Sequence, residues 1–126
     1  MLKEKIEYTD FDGKKQTETV YMHLTRPEVV RFLAGHNINV KSDDISAELK
    51  TAINKLIADK DLIAMLRFMD DLLLAAYGEK SEDGKRFVKS KEISERFSET
   101  LAYAALYDKL IEDQEFTKRL GTGIVA

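Results

Sequence analysis

The chain has 126 residues, of which 20 are basic, 23 are acidic and none is cysteine, so its net charge is −3 at pH 7. This length predicts a single domain over residues 1–126, and the missing cysteines exclude disulfide scaffolds, cysteine zinc sites and thiol catalysis. The near balance of charge is unlike the strongly basic footprint of nucleic-acid-binding proteins, so we expect no nucleic-acid partner.

Residues 2–24 have the pattern of a β-hairpin, with Asp12-Gly13 as a two-residue turn. One face of the two arms is apolar and carries Leu2, Ile6, Tyr8, Val20, Met22 and Leu24. Because a lone hairpin is marginally stable in water, it must pack on helices or pair with another subunit. Its free edges suit such pairing.

Helical patterns begin after the hairpin. Thr25 and Glu28 have the spacing of a capping box, with the only proline of the chain in the first turn, and Gly35 is expected to cap the end of this helix. After a polar connection, Ser42, Asp43 or Asp44 is expected to cap a one-sided amphipathic helix that ends near residue 60.

The next predicted helix, from about residue 61 to residue 77, is apolar around most of its circumference. Its charged residues Arg67, Asp70 and Asp71 follow i, i+3, i+4 spacing and form one narrow strip. They also interrupt the longest apolar run, so we expect a soluble helix and no membrane span. A helix with so much apolar surface is either central in its domain or shared with a partner.

A charged segment that contains two glycines, YGEKSEDGKRFVKS, occupies residues 77–90. A P-loop needs four residues between its glycines and a hydroxyl residue after the lysine, whereas five residues separate Gly78 from Gly84 and Arg86 follows Lys85. We therefore exclude a phosphate-binding loop. We expect Gly78 to end the preceding helix, residues 81–84 to form a turn, and Phe87 to return towards the core in a short extended piece.

The remaining sequence predicts a helix capped by Ser90, followed by one or two more helices that end at Gly121 and Gly123. The predicted fold class is therefore α+β and mostly α-helical. It comprises an N-terminal antiparallel β-hairpin at residues 2–24, a helical bundle at residues 25–120 and a flexible C-terminal tail at residues 121–126.

Residues suited to catalysis are scarce. The two histidines, His23 and His36, belong to no metal-binding pair, and the acidic pairs are adjacent in sequence, so on a helix they do not face each other. No combination of serine, histidine and aspartate suggests a nucleophile. We expect a protein that is not an enzyme and uses no cofactor or metal.

Three stretches share a further pattern: YTDFDGKKQTETVYMHLTRPEV, LLLAAYGEKSEDGKRFVKSKEISERFSETLAYAALYDKLIED and FTKRLGTGIVA. An apolar helix ends in Tyr-Gly, a charged turn leads to Lys-Arg-Phe-Val-Lys-Ser, an aromatic-bearing helix follows, and the chain closes with Gly-Ile-Val. This pattern resembles the tail assembly chaperones of long-tailed phages (siphoviruses) that infect Gram-positive bacteria. The resemblance covers both ends of the chain, outside residues 35–60.

The resemblance implies a non-catalytic role in tail morphogenesis. Such chaperones bind the long, largely helical tape measure protein, keep it soluble and help to recruit tail-tube protein. They form homo-oligomers, often have a longer form made by ribosomal frameshifting, and work in the host cytoplasm without entering the mature virion. We expect the same of this chain.

Two sets of residues are expected to carry these contacts. For self-association we expect Ile6, Tyr8, Val20, Met22, Leu62, Leu66 and Met69. For client binding we expect Phe87, Phe97, Tyr103 and Tyr107, with Ile124 and Val125 as a docking tail. Two alternatives stay open: a small phage virion structural or head–tail joining protein, which would remain in the particle, and a small DNA-binding regulator.

Overall fold

The N-terminal hairpin is present in the computed structural model of the chain, which describes residues 1–125. Strand β1 spans Leu2–Thr9, strand β2 spans Lys15–Met22, and the two pair antiparallel from Leu2 opposite Met22 to Thr9 opposite Lys15. With the helices that follow, this hairpin confirms the predicted α+β class.

The hairpin turn differs from the predicted two-residue turn. Only Gly13 has a positive φ there, 77°, and the loop is closed by hydrogen bonds from the Asp10 N–H to the Lys14 carbonyl and from the Gly13 N–H to the Asp10 carbonyl. The Asp10 carboxylate also accepts from the N–H groups of Asp12 and Lys14, at 2.9 Å each. Because Asp10 satisfies these donors, a longer loop with one left-handed glycine replaces the tight turn.

Helix α1 spans Arg26–Gly35 and starts with the predicted capping box, in which Thr25 and Glu28 each accept a hydrogen bond from the other's backbone N–H. The predicted cap at Gly35 is wrong, since the helix includes Gly35 and the left-handed residue beyond it is Asn37, with φ of 60°. Helix α2 spans Ile45–Ala58 and is capped by Asp44.

Helix α3 spans Leu62–Ala76 and continues directly into strand β3, Tyr77–Lys80, which pairs antiparallel with the end of β2. Strand β4, Phe87–Val88, then pairs with β3, so the sheet order is β1-β2-β3-β4. Helix α3 ends where it was predicted to end, with Tyr77 as C-cap and Gly78 next, but Gly78 does not act as a left-handed cap. It lies in strand β3, directly under the Phe87 ring. Residues 25–120 are therefore not purely helical, although the predicted turn closes as expected, from the Gly84 N–H to the Ser81 carbonyl.

The C-terminal part forms three helices: α4 at Lys91–Ser98, α5 at Leu101–Glu112 and α6 at Gln114–Gly123. Asp113 separates the last two and caps α6 by accepting from the Phe116 N–H. The predicted tail boundary at residue 121 is wrong. Helix α6 continues to Gly123, Ile124 is fully buried, and its carbonyl accepts from the Leu24 N–H at 2.9 Å. Ala126, the last residue of the expected tail, lies outside the described residues.

One hydrophobic cluster joins the inner face of the hairpin to the helices, with α5 packed on β1 and α2 packed on α6. The largest fully buried side chains are Met22, Leu24, Leu33, Leu49, Ile53, Met69, Leu72, Leu73, Leu106, Phe116, Leu120 and Ile124. Within residues 1–125, no helix combines the length and apolar character that a membrane crossing requires.

Candidate interaction surfaces

The residues expected to mediate self-association divide into a buried and an accessible group. The buried group, with at most 4% exposure, is Ile6, Val20, Met22 and Met69. These side chains belong to the core of the domain, so they cannot form part of a self-association surface. Tyr8 and Leu66 are half-buried, and Leu62 is 54% exposed.

The residues expected to bind a client divide in the same way. Phe97 and Ile124 are buried, which removes both from the accessible surface. The half-buried members are Phe87, Tyr103, Tyr107 and Val125. The predicted docking tail is thus anchored through Ile124, with Val125 packed against the same core.

An aromatic row connects three elements of the C-terminal half. Tyr77 stacks on Phe97 with ring centroids 3.8 Å apart, Phe97 meets Tyr103 edge to face at 5.3 Å, and Tyr103 lies 6.3 Å from Tyr107. Burial raises the pKa of the Tyr77 phenol. The structure therefore brings together three of the expected client residues, Phe97, Tyr103 and Tyr107.

The N-terminal end of α3 presents the apolar surface that the sequence left open between core and partner. Ile63 is 60% exposed beside the exposed Leu62, and Met65 and Leu66 in the next turn are half-buried. A cleft of about 170 Å³ adjoins this surface, where the ends of α2, α3 and α6 meet. Our sequence prediction did not select Ile63, although it lies in the same apolar run.

A wider groove of about 630 Å³ lies among the α1–α2 connection, α2 and α3. Its apolar lining includes Ile38, Ala52, Leu56 and Phe68. His36 stands at this groove, 3.3 Å from the Asp71 carboxylate and against the Phe68 ring. The rim carries both lysines and acidic residues, so the groove shows no preference for a partner of one charge.

The far half of the hairpin extends beyond the core. Every residue from Phe11 to Thr19 is exposed, and Phe11 at the turn is 80% exposed. The Tyr8 hydroxyl donates to Glu18 across the strands, which raises the pKa of Tyr8 to about 12. This part of the hairpin is held by cross-strand contacts.

Two ionic clusters tie distant parts of the chain together. Glu4, buried on β1, accepts from Lys109 of α5 and from Arg119 of α6. Lys89 donates to the Glu28 carboxylate and to the His23 carbonyl. The sequence pattern places Glu4 between Leu2 and Ile6 on the apolar face, a signal that our prediction did not use.

The two histidines have separate environments. Burial lowers the pKa of His23, and its Nδ1 has no hydrogen-bond partner within residues 1–125. His36 instead faces the Asp71 carboxylate. In the part of the chain that the structure describes, no group of three or more potential metal ligands assembles.

Comparison with known proteins identifies the family. The family model described as phage tail assembly chaperone matches residues 1–126. Searches of curated proteins and of solved structures gave no match. Because the family match spans the whole chain and agrees with the resemblance of its two ends, the chain belongs to the phage tail assembly chaperone family.

Proposed function

We propose that the protein binds the tape measure protein, keeps it soluble and helps to recruit tail-tube subunits. In this proposal it acts as a homo-oligomer in the host cytoplasm, together with a frameshifted longer form, and leaves before the virion is complete. Family membership supports the general role. The main observation that supports client binding is the exposed apolar surface at the N-terminal end of α3.

The α3 end suits a helical client. Leu62, Ile63 and Leu66 lie within the first turns of the helix, and Asp61 fixes its start by accepting from the Ala64 N–H at 3.1 Å. An amphipathic partner helix can place apolar residues at i, i+3 and i+4 spacing against such a surface and into the adjoining cleft. Exposed apolar residues grouped in this way are typical of interaction sites.

We therefore assign Leu62 and Leu66 to client binding instead of self-association. The half-buried aromatic residues are secondary candidates for client binding. They are Phe87, Tyr103 and Tyr107, and together with the half-buried Val125 they are proposed as further client contacts. The wide groove beside His36 is not needed for either contact.

Co-expression tests the proposal. The tape measure gene product is expressed alone, with this protein, or with its Ile63→Glu variant, and its soluble fraction is measured. We expect a gain in solubility with the native chain, and a loss of at least about tenfold in binding with Ile63→Glu, since the charge replaces an apolar contact. Val30→Glu is the matched control, because Val30 is also exposed, on α1.

The possible results test the chaperone role and the position of the client site on α3 separately. No gain in client solubility with the native chain would refute the chaperone proposal. A gain that Ile63→Glu leaves intact would move the client site away from α3. Mass spectrometry of purified virions tests the location, and stoichiometric amounts of this chain in the particle would favour the virion structural alternative.

A further inference from the structure

Strand β2 is longer than the strand that covers it. Strand β3 pairs with β2 at Tyr21 and Met22 only, and within residues 1–125 no strand covers Lys15–Thr19 on that side. The His23 N–H donates to the Ala76 carbonyl on the β3 side. Because backbone groups alternate along a strand, residues 21, 19, 17 and 15 direct their N–H and C=O groups to that same side. Lys15, Thr17 and Thr19 therefore have backbone donors and acceptors that no strand within residues 1–125 pairs with.

The outer edge of β1 is less suited to pairing. By the same alternation it is formed by Lys3, Lys5, Glu7 and Thr9. Charged side chains, lysines above all, protect an edge strand against added strands. The open edge of β2 instead carries Thr17 and Thr19, both with high β-propensity, and has a single lysine at its end.

The β2 edge is complementary to itself. When two copies run antiparallel about a two-fold axis at Thr17, Thr17 faces Thr17, Lys15 faces Thr19 and Gln16 faces Glu18, so no like charges meet. A centre at Glu18 would oppose two glutamates. A centre at Gln16 would draw Gly13, which has left-handed φ, into the ladder. The register centred on Thr17 is therefore the longest one without repulsion.

We propose that two copies of this chain associate through the Lys15–Thr19 edge of β2, in an antiparallel ladder of about six backbone hydrogen bonds centred on Thr17. This interface rests on the proposed self-association and names its surface. It replaces the buried residues that the sequence indicated for that role. The contact is small, so the dimer is weak and dissociates on dilution.

Disulfide trapping tests the register. The chain has no cysteine, so in a single-cysteine variant a disulfide can form only between the introduced cysteines of two copies. Facing residues in such a ladder have Cα atoms about 5.5 Å apart, within the disulfide range, so Thr17→Cys is expected to give a covalent dimer on mild oxidation. Thr19→Cys is the control, because its two copies would lie more than about 10 Å apart. Equal trapping of the two variants, or none of Thr17→Cys, would overturn the proposal.

A proline substitution tests the edge. Thr17→Pro removes an N–H that the hairpin does not use, so the monomer is expected to keep its circular dichroism spectrum while the dimer is lost. Glu7→Pro makes the same change at the outer edge of β1 and is expected to keep the dimer. Sedimentation measures the mass against the 14.4 kDa chain.

The results of these experiments test the β2-edge interface separately from self-association and from the chaperone role. Oligomers that persist in Thr17→Pro would refute the β2 edge and leave self-association standing. A native chain that is monomeric at all concentrations, with no Thr17→Cys dimer, would refute both, while client solubility reports separately on the chaperone role. If the native chain is monomeric and Thr17→Pro abolishes client solubility, a client strand occupies the edge, which also overturns pairing between copies.

Discussion

Replacement of the buried Glu4 by alanine is expected to destabilise the fold. Its side chain is 10% exposed and accepts from Lys109 and, at 3.0 and 3.2 Å, from Arg119, so it joins β1 to α5 and α6. Removing one member of a buried ion pair costs about 3–5 kcal/mol. Lys109 and Arg119 are 32% and 51% exposed, so water can solvate them afterwards. We therefore expect a loss of about 2 kcal/mol in the free energy of unfolding.

Urea and thermal denaturation followed by circular dichroism measure this loss. For a chain of this length, 2 kcal/mol corresponds to a fall in Tm of about 6–10 °C. Glu7→Ala, an exposed glutamate on the same strand, is the control and is expected to change stability by less than about 0.5 kcal/mol. Equal stability of the two variants would refute the conclusion that the Glu4 cluster holds the C-terminal helices to the sheet.

Two further predictions concern titratable groups. Burial, with the neighbouring Asp71 charge, raises the pKa of Asp70, so Asp70→Asn is expected to stabilise the fold at pH 7 by a few tenths of a kcal/mol. Asp108→Asn, at an exposed aspartate of α5, is the control, and urea titrations that show no gain for Asp70→Asn over this control would contradict the expectation. Burial, with the Lys89 charge, lowers the pKa of His23 below its usual 6.5. The folded state therefore favours the neutral imidazole, and stability should fall as the pH drops below about 6.5 towards the folded pKa. In His23→Gln this part of the acid dependence, measured by urea titration between pH 7 and pH 5, should disappear, and an unchanged dependence would assign it to other groups.

Local signals in the sequence predicted much of the fold. The caps at Thr25, Asp44 and Ser90 depend on hydrogen bonds over three residues, so their spacing alone reveals them. The pairing of β3 with β2 escaped prediction, because β3 has only four residues and its partner strand lies more than fifty residues earlier. Short, non-local strand pairs leave no periodic pattern in a single sequence.

The interaction surfaces were harder to predict than the fold. Periodicity shows which side of a helix or strand is apolar, but it does not show which apolar side the rest of the chain covers. Met69 and Ile63 belong to the same apolar run, yet the first is fully buried and the second is 60% exposed. The difference depends on which residues of α3 the neighbouring elements cover, and only the three-dimensional structure defines that.

We expect Gly78 to be required because of close packing in β3, and not because it ends a helix. A Cβ atom there would lie 2.7 Å from Cε2 of Phe87 and 2.8 Å from Cγ of Lys89, and Lys89 is fixed by its bonds to Glu28 and to the His23 carbonyl. Gly78→Ala is therefore expected to cost about 1–3 kcal/mol through overpacking, and Gly78→Asn should cost more because it is larger.

A helix-ending glycine would behave differently, since asparagine tolerates the left-handed conformation better than alanine does. Gly35→Ala is the control. That glycine lies within α1 with no other atom near its Cβ position, so the substitution should leave stability unchanged or raise it by up to about 1 kcal/mol. Denaturation of the three variants decides between the two roles. An asparagine at position 78 that is tolerated better than alanine would show that backbone conformation, rather than the close approach of Phe87, requires the glycine.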